Sequence, residues 1–172
     1  MKSLLKLSVF LALTSIATAQ QQSTHKLQQP TAGVRFACNT GYSLQRCNEQ
    51  ITLLRSVLNK YPTELLGNWT WVLVRSEDWK TILRARRLDD TAAFSYLPKR
   101  ETFIEEALLS DENVSRRAEL LLKWQMPMDR LLELAVTHEL GHAICNQRDE
   151  AKADRYGELL RAGKPAACEL RR

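Results

Sequence analysis

The 172-residue sequence predicts an α+β domain in which a small mixed β-sheet of about three strands is followed by a helical hairpin. Three observations predict it. A central segment is rich in β-branched and aromatic residues bounded by turn formers, helical spacing of apolar residues holds on both sides of it, and two amphipathic runs near the C-terminus are joined only by Asn146-Gln147-Arg148-Asp149.

The elements follow in chain order. Lys2 and Lys6 precede an apolar run from Leu7 to Leu13 and the small-x-small sequence Ala17-Thr18-Ala19. That is the layout of a signal peptide over residues 1–19, cut after Ala19, because the run is far shorter than the ~20 residues that cross a bilayer. Residues 20–35 are polar, Gln-rich and aperiodic and read as a flexible leader, so His25 within it takes no role. Residues 36–172 are long enough for a single domain with its own core.

From Ser43 onward, Leu44, Cys47, Ile51, Leu54, Leu58 and Tyr61 recur at helical spacing until Pro62 stops the helix. Trp69-Thr70-Trp71-Val72-Leu73-Val74-Arg75 reads as a buried strand. Ser76 is the expected N-cap of a helix with Glu77 and Asp78 in its first turn and Trp79, Ile82 and Leu83 inward. Thr91 to Leu97 alternates as a second strand, Pro98-Lys99-Arg100-Glu101 turns, and Thr102-Phe103-Ile104 returns as a third. A helix over Asp111 to Trp124 places Val114, Ala118 and Leu121 on one face, and Pro127 ends that segment. Asp129 caps a further helix to Cys145 with a stripe through Leu131, Leu134, Ala135 and Leu140. Glu150 to Arg161 forms the last helix, closed by Gly163 and Pro165.

Charge and cysteine content narrow the function classes. The formal net charge of +5 includes the two signal lysines, and the basic run Arg84-Ala85-Arg86-Arg87 is answered by Asp89-Asp90. A solvated helix end explains that cluster, and no nucleic-acid partner is expected. Cys38, Cys47, Cys145 and Cys168 are an even set in a chain with an export signal, which favours disulfides. The expected pairing is Cys38–Cys47 with Cys145–Cys168, the second pinning the tail to the preceding helix. No C-x-x-C spacing marks them as metal ligands.

The chemistry-bearing stretch is HELGHAICNQRDEAKAD, residues 138–154. Helical residues four apart share a face about 6 Å apart along the axis, so His138 and His142 can aim a ring nitrogen each at one cation. Glu139 stands beside them in the H-E-x-x-H arrangement, in which the histidines hold zinc and the glutamate polarises water. A chance match in a chain of this size arises at roughly one in a hundred from average residue usage. The short link supplies an independent check. In an antiparallel hairpin, Glu150 level with His142 puts Asp154 level with His138, Gly141 opposite Ala151, and Ala135 opposite Gly157. Glu150 is then the third ligand, and Asp154 accepts the second ring N–H of a liganding histidine.

These residues resemble the zincin metallopeptidases, in particular the gluzincin type with a downstream glutamate ligand and an E-x-x-A-D stretch, here Glu150-Ala-Lys-Ala-Asp154. The resemblance covers residues 129–161 and, by order of elements only, the sheet before them. It implies a minimal zincin-like domain whose active-site helix hairpin carries a zinc site of His138, His142 and Glu150 with Glu139 as general base. The implied activity is hydrolysis of peptide or protein substrates by a zinc-activated water. It also implies a substrate lying along an edge strand, either 91–97 or 102–104. Two departures are visible. The link between the motif halves is far shorter than in larger gluzincins, and no histidine follows His142 to steady an oxyanion; Tyr156 is the first candidate for that place, beside Tyr96, Arg148 and Arg155. The alternative is an exported zinc-binding protein or inactive relative in which the metal is structural. Either way the chain is expected to be secreted or periplasmic, with no stable membrane insertion after signal cleavage.

Overall fold

The computed structural model describes residues 26–31, 33–165 and 168. The expected signal peptide lies outside the described residues. The α+β expectation holds, with a larger sheet than expected. Five strands, β1 (Lys26–Thr31), β2 (Val34–Cys38), β3 (Trp69–Val74), β4 (Ala93–Tyr96) and β5 (Glu101–Glu105), are ordered β1-β2-β3-β5-β4. The inner strands β2, β3 and β5 run parallel, and β1 and β4 are antiparallel edges.

Two strands thus fall in or beside the segment expected as leader. Lys26–Thr31 pairs back onto β2, and Val34–Cys38 pairs residue for residue with Trp69–Leu73. Neither carries clean alternation. β2 is buried at every position but Arg35, as parallel inner strands are, and β1 holds Pro30, which an edge strand tolerates.

The sheet has a helix layer on each face. Trp69, Trp71, Leu73 and Ile104 pack toward α1 (Leu44–Leu58) and α4 (Met128–Cys145), whereas Val72, Val74, Phe94 and Phe103 pack toward α2 (Ser76–Arg86). The first face is the main core, where Leu54, Leu58, Leu131, Val136 and Leu140 close over the two tryptophans. Ser43 caps α1 through the N–H of Arg46, and Cys38–Cys47 ties that helix to β2. Cys145–Cys168 is the second disulfide, so the expected pairing is the observed one.

Three details differ from the sequence expectations. Ser76 is the first residue of α2 rather than its cap, because its N–H donates to the buried Glu106 carboxylate at 3.3 Å, which takes the capping role. α4 begins at Met128, with Asp129 in its first turn. α3 (Val114–Trp124) turns Arg116 and Leu120 inward, while Val114 is 73 % exposed and Leu121 40 %. That helix docks through charge: Arg116 bonds both oxygens of fully buried Glu105 at 2.9 and 3.0 Å and reaches Asp90 at 2.6 Å. An apolar stripe is therefore the wrong signal for it.

α4 and α5 (Glu150–Arg161) form the antiparallel hairpin, with Asp149 capping α5 through the N–H of Lys152. Their backbones touch where glycines allow it. A Cβ on Gly141 would lie 2.5 Å from the Ala153 carbonyl oxygen, and one on Gly157 would lie 3.0 Å from that of Thr137. The contacting pairs are Gly141 with Ala153 and Gly157 with Thr137, two residues along from the expected Ala151 and Ala135. Gly141→Ala is expected to force the helices apart and destabilise the protein by about 1–3 kcal/mol, read from a urea midpoint.

Candidate metal centre

The hairpin sets four polar side chains at one end of the α4–α5 seam. His138 Nε2 lies 3.0 Å from His142 Nε2 and 3.1 Å from Glu150 Oε2, and His142 Nε2 lies 3.4 Å from the same oxygen. Three donor atoms thus form a nearly equilateral triangle. Ligands at ~2.0–2.1 Å from a tetrahedral zinc stand about 3.3 Å apart, so the triangle has the dimensions of one face of such a coordination sphere. The two-residue offset of the backbone contacts, about 3 Å along the axis, is within reach of imidazole and carboxylate side chains.

Tautomers follow from the outer partners. His142 Nδ1 is 2.7 Å from the Gln147 carbonyl oxygen, which only accepts, so Nδ1 carries the proton. His138 Nδ1 is 2.7 Å from Asp154 Oδ1, an acceptor when ionised, and the same assignment holds. Both rings turn Nε2 toward each other and toward a carboxylate oxygen, and these are three atoms that one cation can share. Asp154 stands where the sequence put it. Asp154→Asn is expected to weaken zinc binding about 10–100-fold in a chelator competition, because the ring loses its anionic anchor.

Exposure grades across the site. The side chain of His142 is 8 % exposed, that of His138 21 % and that of Glu150 76 %, so the cation position opens toward solvent on the Glu150 side. Glu139 lines the same cavities as the histidines and is 3 % exposed. Burial pushes its carboxyl up to about 7, against the opposing influence of the neighbouring His142 and of a hydrogen bond from Ser95. Its Oε2 is buried and meets no donor among the described residues.

Two cavities meet at Glu139. One, of about 870 Å³, runs between the end of α2 and β4 and is lined by Arg86, Phe94, Ser95, Tyr96, His138, His142 and Arg148. The other, of about 290 Å³, is apolar and bounded by Trp124, Leu131, Leu134 and Ala135 beside His138 and Glu150. β4 is an edge strand of the sheet beside the site, and β5 lies between β3 and β4, so of the two expected edge segments only the first lies at an edge.

The oxyanion candidates separate. Tyr156, the first choice on sequence, is 3 % exposed and lines neither cavity. Two helical residues beyond Asp154 turn it about 200° away from the ligand face, into the packing of α5. Arg155 is exposed and likewise off the cavities, whereas Tyr96 and Arg148 line the larger one. Sequence reasoning missed Ser95 altogether, since its place beside Glu139 in the cavity lining arises from the docking of α4 on β4 and has no local signature. No family model, curated protein or solved structure matches the chain.

Proposed function

We propose that this chain is an exported zinc metallopeptidase of zincin type, with His138, His142 and Glu150 as ligands and Glu139 as general base. The observation that carries the reading is the triangle of donor atoms, 3.0 to 3.4 Å on a side, drawn from two helices. Zinc bound there would supply a Lewis acid that brings the pKa of water toward ~7 and polarises a carbonyl.

The remaining work belongs to the chain's own groups. Glu139 stands beside the ligands with one carboxylate oxygen buried and unpartnered, placed to take a proton from the attacking water and return it to the leaving amine. As the edge strand beside the site, β4 would offer backbone N–H and C=O groups to an extended peptide, and the larger cavity would lead that peptide past the three ligand atoms. Two disulfides fit an oxidising compartment, and no helix among the described residues is long and apolar enough to cross a membrane.

A purely structural metal would brace the same hairpin without using Glu139 or the cleft. The discriminating experiment is metal analysis with a digest of casein and a broad peptide library. Wild type is expected to hold one equivalent of zinc and to cleave, and Glu150→Ala to lose both. Zinc-loaded wild type that cuts nothing makes the metal a brace.

A further inference from the structure

The basic run at the end of α2 is not neutralised as its sequence suggests. Asp90 bonds Arg116 at 2.6 Å and lies 3.9 Å from Lys123, so it answers α3 instead of its own neighbours. Arg86, the last residue of α2, lays its guanidinium over the rings of Tyr96 at 4.5 Å and Phe103 at 5.7 Å. Stacking covers a flat face of the group and leaves its N–H donors directed outward in the plane. Those donors meet no carboxylate among the described residues.

Arg86 lines the cavity of about 870 Å³ beside the donor triangle, and Arg148 lines it from the link between α4 and α5. That volume lies within the span of about 300–1,000 Å³ usual for ligand sites. The link is fixed where Arg148 leaves it: Gln147 Oε1 accepts the backbone N–H groups of Arg148 at 2.8 Å and Asp149 at 3.0 Å, while the Gln147 carbonyl oxygen bonds His142. The Arg148 side chain also has no carboxylate partner among the described residues. The acids of the same lining are Asp89, Glu139 and Glu150. Glu150 faces the two imidazoles at 3.1 and 3.4 Å, and Glu139 is 3 % exposed, which leaves one carboxylate against two guanidinium groups.

We propose that Arg86 is a specificity-determining residue that binds a substrate carboxylate in this cavity, with Arg148 supplying a second positive charge. The carboxylate is that of an Asp or Glu side chain or of a free C-terminus. Both present the same planar pair of oxygens, which a guanidinium meets with two parallel N–H donors. A basic side chain in that place would meet like charge. Arg86 is exposed, so the gain is expected at the low end for a hydrogen bond to a charged group, about tenfold. The proposal rests on the peptidase reading for the ligand being a peptide, and on the two unpaired guanidinium groups for its being acidic.

The test compares peptides on the full-length zinc-loaded protein. A neutral casein-derived peptide blocked at both ends is the parent; Asp or Glu is placed at each position in turn, and a further copy carries a free C-terminal carboxylate. Wild type is expected to favour a carboxylate-bearing peptide over the parent about tenfold in kcat/KM. A gain confined to the side-chain series marks an acid-directed endopeptidase, and one confined to the free C-terminus marks a carboxypeptidase. Arg86→Ala is expected to bring the ratio near one, Arg86→Lys to keep part of it because the charge stays without the fork, and Arg86→Glu to reverse it in favour of a Lys-bearing peptide. The proposal is overturned by a wild type with no such preference, or by a preference that Arg86→Ala and Arg86→Glu leave intact, as a carboxylate held by the metal itself would be. Wild type that cuts no peptide defeats the peptidase reading, and calorimetric dissociation constants of the same peptides then decide the carboxylate site alone: tighter binding of a carboxylate-bearing peptide that Arg86→Ala abolishes upholds it, and equal or absent binding overturns it.

Discussion

Glu139→Gln is expected to retain one equivalent of zinc while peptide cleavage falls about 10²–10⁴-fold, the usual span for removing a general base. The substitution is nearly isosteric, and Glu139 contributes no atom to the donor triangle of His138, His142 and Glu150. The amide cannot accept a proton from water at neutral pH, so only the chemical step suffers. Burial sharpens the contrast: a neutral side chain suits the 3 % exposed position at least as well as a charged one, so stability is expected to hold or rise. The check is zinc by atomic emission, a thermal melt and initial rates on one preparation. Lost zinc, or a rate within a few-fold of wild type, would remove Glu139 from the mechanism.

The site was more legible than the fold around it because its information is local. His138 and His142 share a face by helical period alone, and the short link through Asn146 to Asp149 leaves the second helix little choice but to return antiparallel. Glu150 and Asp154 thus reach the rings whichever pair of backbone residues touches, and a two-residue error in that contact did not change which side chains meet. Tyr156 went the other way for the same reason, since the period that turns Asp154 toward His138 turns Tyr156 into the core.

The sheet carried weaker signals. β2 is buried on both faces and offers no alternation, and β1 has the composition of a leader yet pairs with β2 through its backbone. The hydrogen bonds that link Trp69, Thr102 and Ser95 join residues far apart in sequence and exist only because strands 69–74, 101–105 and 93–96 are neighbours in that register. α3 misled because one of its two inward residues, Arg116, is a charge. Arg116 in an otherwise amphipathic run reads as solvent-facing until Glu105, buried on β5, is known to lie beneath it.

That pair carries the largest expected stability effect. Glu105 is fully buried, and burial pushes its carboxyl up to about 7 even though the Arg116 guanidinium, at 2.9 Å, opposes the shift. A carboxyl whose folded pKa is raised above its ordinary 4.5 stabilises the fold fully at pH values below 4.5, and that contribution is lost as pH rises through 7. Arg116→Ala removes the opposing cation, so the folded pKa climbs further and the loss on raising the pH deepens. The variant is expected to be destabilised by about 3–5 kcal/mol at pH 8, the range for leaving a buried charge unpaired. Near pH 5 Glu105 is protonated in the fold, and the deficit is expected to shrink to the loss of the more exposed, solvent-screened pairs with Asp90 and Glu119. Urea midpoints at the two pH values measure the difference. Adding Glu105→Gln to Arg116→Ala is expected to flatten the pH dependence, because the group that titrates is then gone; a deficit equal at both pH values in the single variant would mean that α3 docks by packing, with Glu105 neutral throughout.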